Sequence, residues 1–165
     1  HLALTDEAVI GYRTSAKMNP PLRTKEDVEA LRAGLKDGTI DCIATDHAPH
    51  ASIEKDVEFD KAANGIIGLE TAFSVVYGLV EEGVLTLAEV VRAMSNGPAK
   101  AFGLEGGWLF VGTPANIAIF DLNRSWKVEP LKLKSKSKNT PWAGKVLKGV
   151  AVKTIIAGNV VYSRD

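Results

Sequence analysis

The chain has 165 residues, enough for one domain of ordinary size and too few for two large ones. Hydrophobic residues make up 45% and charged residues 24%, a soluble globular composition, and 20 basic side chains cancel 20 acidic ones, which excludes nucleic acid as the main partner. Apolar runs of only a few residues exclude a transmembrane helix, and a single cysteine excludes both an intrachain disulfide and a Cys-rich zinc site.

The chain opens on His1-Leu2-Ala3-Leu4, inside an apolar segment and without Met or a signal peptide, as expected of a fragment. Pro20-Pro21 forbids helix and predicts an extended loop from Tyr12 to Arg23. Thr24 is a good N-cap with Asp27 at the third position, and Val28, Leu31 and Leu35 share one helical face that Gly38 ends. Ile40 to Thr45 reads as a buried strand, with Cys42 as one of its small core residues. His50 to Gly68 is polar, without a period, and reads as a functional or mobile loop.

Leu69 to Val80 predicts an apolar helix closed by Gly83, and Thr86 with Glu89 opens another through about Met94. Asn96-Gly97-Pro98 is expected to break that helix and start a short helical turn ending at Gly103. After Gly106 the pattern turns to strands: Asn116 to Asp121, then two within Val150 to Tyr162 joined by a Gly158-Asn159 hairpin. Lys132, Lys134, Lys136, Lys138, Lys145 and Lys148 read as a solvated loop rather than an anion site, and Trp108, Trp126 and Trp142 as packing. The expected division is an α/β part over residues 1–105 and a β part over 106–165.

Asp46-His47-Ala48-Pro49-His50 follows the predicted strand directly. Sites of parallel α/β folds lie at the C-terminal ends of strands, where a carboxylate can bind a metal and exchange a proton. An Asp in that place also serves as a cap or turn residue, and spacing alone does not decide between the two. The side chain of His47 points away from that of Asp46 on a strand, which makes it structural.

The string Ile43-Ala44-Thr45-Asp46-His47-Ala48-Pro49-His50 resembles the signature of the dihydroorotases of the amidohydrolase superfamily, in their bacterial type I form. Lys17-Met18-Asn19-Pro20-Pro21-Leu22-Arg23 resembles that family's K-x-N-P-P-L-R loop. Glu54-Lys55 and Asn64 to Thr71 resemble the loop and helix start that follow. Ser135 to Gly144 is similar to its S-K-x-K-N-T-P-F-x-G stretch, with Trp142 in place of Phe.

The resemblance implies the C-terminal portion of a (β/α)8 TIM-type barrel plus the C-terminal share of a small β-sandwich. Residues 24–37 would be the helix before the eighth strand and 40–46 that strand. It implies a zinc-dependent cyclic amide hydrolase, with one or two zinc ions per full-length site, interconverting N-carbamoyl-L-aspartate and dihydroorotate in cytoplasmic pyrimidine biosynthesis. Asp46 would bind zinc and act as general acid/base, Asn19 and His50 would contact substrate, and the backbone of Asn64 and Gly65 would hold its ring. The family's other metal ligands would precede residue 1, so the fragment alone is expected to be inactive. Beyond the small-molecule substrate, an aspartate transcarbamoylase partner and a homo-oligomer stay open. So do two other readings: an allantoinase or dihydropyrimidinase, and a non-catalytic scaffold for aspartate transcarbamoylase.

Overall fold

A computed structural model describes residues 1–164; Asp165, the last residue of the expected β part, lies outside them. Two short 3-10 helices, Asp6–Val9 and Thr14–Ala16, open the chain, the second inside the stretch predicted to be extended, where the Ala16 and Lys17 N–H groups bond back to Arg13 and Thr14. The first α-helix, α1 (Lys25–Asp37), is built as its sequence predicts. Thr24 Oγ1 accepts the Asp27 N–H at 3.5 Å, and the Asp27 carboxylate accepts the Thr24 N–H at 3.2 Å. Gly38 stops the helix in the left-handed region at φ 86°. Val28 and Leu35 are buried on the expected face and Leu31 is half-buried.

Residues 40–45 form no strand. A strand exists through a neighbour that completes its ladder, and these backbone groups turn elsewhere. The Ile40 N–H donates to Gly34 O and the Ile43 N–H to Ala93 O, both at 2.8 Å. Cys42 is half-buried rather than a core residue. The polar loop that follows contains a one-turn helix, α2 (Ser52–Lys55), where the Glu54 carboxylate accepts the Ala51 N–H at 2.7 Å.

The apolar helix starts later than its hydrophobicity suggests, as α3 (Ala72–Glu81), because Leu69 to Thr71 form a turn. The Thr86–Glu89 capping box opens α4 (Leu87–Val91). The chain is not broken at Asn96-Gly97-Pro98. It widens into a π-turn over Arg92–Asn96 and runs on into α5 (Gly97–Phe102). Pro98 lies in the first turn of α5, where a missing N–H costs nothing. Gly97 is required there, since a Cβ would lie 2.5 Å from Asp41 O and 2.6 Å from Arg92 O.

Three antiparallel strands follow in the order β1 (Ile117–Lys127), β2 (Val146–Ile156) and β3 (Asn159–Ser163). β1 outruns the predicted stretch by crossing an irregularity after Asp121, whose carboxylate accepts the Asn123 and Arg124 N–H groups. The hairpin turn is Ala157-Gly158, one residue earlier than predicted, because Ile156 pairs with Asn159. Both turn residues have positive φ, 48° and 81°, as a type I′ turn demands.

α3 joins the two halves. Val76 and Leu79 pack with Leu35, Leu85, Val90 and Ala93 in the helical core. Its other face meets the sheet: Phe73 stacks on Phe120 with centroids 3.6 Å apart, and Ser74 Oγ donates to Gly149 O while accepting Trp126 Nε1–H. A second core of Ile67, Val128 and Leu133, flanked by Trp126 and Trp142, ties the loop before α3 to the β part. Those two tryptophans are packing residues as expected, whereas Trp108 is half exposed and stacks on Phe110.

A left-handed backbone costs an alanine more than an asparagine. Ala157→Asn should therefore stabilise the protein by about 1 kcal/mol, read as a higher urea midpoint with an unchanged slope.

Candidate active site

Three irregular segments meet at the site: residues 46–50, 64–68 and 133–142. Asp46 stands in the left-handed region at φ 44°, which Asp tolerates better than most residues. Its side chain is exposed, and no hydrogen bond or ion pair engages it among the described residues. His47, with no strand to set its direction, is held by a loop: its Nδ1 accepts the Gly68 N–H at 3.1 Å, which assigns the proton of the neutral ring to Nε2.

His50 is fixed at two points. Its backbone N–H donates to Asn139 Oδ1 at 3.2 Å, and its ring Nε2 lies 2.8 Å from Asn64 O, to which it must donate. The lone pair of the neutral ring is then on Nδ1, which lies 3.9 Å from Glu54 Oε2. His50 can thus offer a donor to an anion only by protonating Nδ1 or by releasing Asn64.

Gly65 is held on every side. Its N–H donates to Lys17 O at 2.8 Å, and its carbonyl accepts Lys55 Nζ at 3.1 Å and Asn139 Nδ2 at 3.3 Å. Its φ is +98°, and a Cβ would lie 2.7 Å from Ala48 Cβ. The structure thus brings His50, Asn64 and Gly65 together. Asn19 is exposed on a cis Asn19-Pro20 peptide, and neither it nor Asp46 makes a polar contact with the other three. Gly65 has its N–H and both carbonyl lone pairs engaged, so the Asn64–Gly65 pair meets a ligand through Asn64, whose N–H makes no bond among the described residues and whose carbonyl accepts only His50.

Several residues that the sequence presents only as parts of matched strings turn out to build the site. Lys55 is 6% exposed, and its ammonium donates to Ala63 O at 2.7 Å as well as to Gly65 O. Burial, and then the neighbouring Lys17 ammonium, hold its pKa below the usual lysine value. Lys17 Nζ donates to Asp60 O at 3.0 Å and Ala62 O at 2.7 Å. Lys138 Nζ donates to the Leu133 and Ser135 carbonyls, and the Glu70 carboxylate accepts the Lys134 and Ser135 N–H groups at 2.9 Å each. Elsewhere in the lysine-rich stretch, Lys132 pairs with Glu129 and Lys148 with Glu81. The one available signal was a lysine inside a stretch without any period.

A cleft of about 550 Å³ opens beside His50, between Ser52 and Lys55 on one side and Lys136 to Thr140 on the other. Among the described residues no group of three or more His, Cys, Asp or Glu side chains could hold a metal. A catalytic zinc takes about three protein ligands, and the described residues bring together no such set.

The profile of the amidohydrolase family matches residues 3–161. This chain belongs to the amidohydrolase family. A dihydroorotase of Anaeromyxobacter sp. (strain K) is 58% identical over 98% of the chain and 38% of its own length. One of Pelobacter propionicus is 59% identical over 99% of the chain and 39% of its own length. The chain thus spans about two fifths of the curated relatives it matches. Among solved structures, the L-hydantoinase (dihydropyrimidinase) of Arthrobacter aurescens superposes with a TM-score of 0.86 at 30% identity, over 97% of this chain and 37% of that one. The D-hydantoinase (dihydropyrimidinase) of a Thermus sp. gives 0.82 at 26% identity, over 91% of this chain and 34% of that one.

Of the site residues of this amidohydrolase chain, Gly65 is the one whose replacement is blocked by both backbone and space. Gly65→Ala should destabilise the protein by at least about 1 kcal/mol, measured by urea unfolding, with loss of amide-exchange protection at residues 64–68.

Proposed function

We propose that the chain is the C-terminal part of a zinc-dependent dihydroorotase, a barrel portion followed by its share of a β-sandwich. The observation that carries this reading is identity of 52% to 59% with proteins of that name along nearly the whole chain. The hydantoinase likeness favours a second cyclic-amidase reading, but at 30% identity or below it supports the common fold more than the common substrate. The retained Asp46 and His50 favour catalysis over a scaffold role.

The reaction adds water across the ring amide of dihydroorotate, breaks the C–N bond and leaves N-carbamoyl-L-aspartate; cyclisation is its reverse. Asp46 suits the proton traffic, because its carboxylate is exposed and unpartnered. It takes a proton from the attacking water and returns one to the departing nitrogen. Zinc, held by Asp46 together with ligands outside this chain, would supply Lewis-acid polarisation of the ring carbonyl. The Asn64 carbonyl, with one lone pair still unused, suits a ring N–H, and Gly65 holds that backbone in place. His50, protonated at Nδ1, and the exposed amide of Asn19 would supply donors to the substrate carboxylate.

In the full-length enzyme, Asp46→Asn should lower kcat by at least about 100-fold, followed as cyclisation of carbamoyl-aspartate. Near-normal turnover would remove Asp46 from the chemistry, and faster hydrolysis of hydantoin than of dihydroorotate by the wild type would favour the second reading.

The chain alone should bind zinc weakly and turn over no substrate, since it brings one metal carboxylate where about three ligands are needed. Calorimetric titration with zinc, followed by assay of the same sample, checks this. Tight stoichiometric binding with turnover would require a metal site that these residues do not form.

A further inference from the structure

We propose that Asn139 is a positioning residue for the substrate side of the site, a role that rests on the dihydroorotase reading above. One planar amide connects all three loops. Nδ2 donates to Ala48 O at 2.8 Å and to Gly65 O at 3.3 Å, while Oδ1 accepts the His50 N–H at 3.2 Å. The Asn139 carbonyl in turn accepts the Ile67 N–H at 3.0 Å. The amide orientation is unique, because a flipped group would face two carbonyls with an oxygen and an N–H with an NH₂. Asp lacks the donors and Ala lacks both functions, so neither can replace it.

The anchor from which this amide reaches is itself fixed. Lys138 closes the turn from Leu133 to Ser135, Glu70 holds the Lys134 and Ser135 amides, and Thr140 is buried. Asn139 therefore transmits the position of the β part to the loops. Its contacts are unequal in kind. Of the side-chain bonds, those to His50 and Gly65 fall on residues assigned to substrate, and only the Ala48 bond falls beside Asp46. Its loss should weaken substrate binding more than it slows the chemical step.

The test compares full-length wild type, Asn139→Ala, Asn139→Asp and Glu70→Gln, with kcat and KM for dihydroorotate taken on the folded, zinc-loaded fraction. Asn139→Ala and Asn139→Asp should raise KM by about tenfold or more, with a smaller fall in kcat. Glu70→Gln, which loosens the anchor from which Asn139 reaches, should lower Tm and raise KM in the same direction as Asn139→Ala but by less. A KM within about twofold of wild type in Asn139→Ala, whatever its Tm, overturns the proposal. If Asn139→Ala does not fold, Asn139→Asp is judged by the same criterion, and failure of both to fold also overturns it by making Asn139 a folding residue. A wild type inactive on dihydroorotate would sink the dihydroorotase reading instead. Positioning is then read from hydrogen exchange of the peptide holding Ala48 to His50, which should speed up in Asn139→Ala and which an unchanged rate would refute.

Discussion

Backbone carbonyls in a loop have no ladder or helix to satisfy them, and this constraint governs the region from Asp46 to Gly68. A buried carbonyl left without a donor costs about 1–3 kcal/mol, so the loops must import donors. They import charged ones. Lys17 and Lys55 between them serve the carbonyls of Asp60, Ala62, Ala63 and Gly65, and Lys138 does the same for Leu133 and Ser135. Charge-assisted bonds are stronger than neutral ones, and each ammonium can serve more than one oxygen. The depressed pKa of Lys55 reflects what this arrangement demands, a cation held among carbonyls and away from water.

The same bonding scheme decides what remains free for chemistry. His47 and His50 lie three residues apart and are forced into opposite tautomers, one by the Gly68 N–H and the other by the Asn64 carbonyl. That leaves His47 Nε2–H and His50 Nδ1 as the unspent ring positions. Asp46, between the helical core and these loops, is left unpartnered on a strained backbone.

What could be read from the sequence was local. The capping pairs Thr24–Asp27 and Thr86–Glu89 and the stops at Gly38 and Gly103 lie within one turn of what they control, and all are present. The motif placed Asp46 and His50 in one segment without showing that the second would be pinned by a residue 89 positions later. Lys55 and Asn139 were invisible as builders because their partners are set by tertiary packing. The strand expected at residues 40–45 failed for a related reason: periodicity reports which face is buried and says nothing of whether a neighbour completes the ladder. The hairpin slipped by one residue because register is fixed by strand pairing, and Ala157 carries no turn signal.

The surface of the chain bears on how much of an enzyme it represents. Phe102, Leu104, Leu109, Phe110 and Val111 are all more than 60% exposed and close in sequence, beside a groove lined by Val91, Met94 and Leu122. Exposed apolar side chains concentrated in one segment are more than scattered single ones, which are common on free-standing domains. The chain spans about two fifths of its relatives' length, and among the described residues no group of three His, Cys, Asp or Glu side chains could hold a metal. Under the proposed function these observations share one cause: the apolar face and the incomplete metal set would both be completed by the remainder of the same fold. Burial of that face and closure of the zinc site would then be coupled, since a metal centre whose ligands come from both parts stabilises only the docked arrangement.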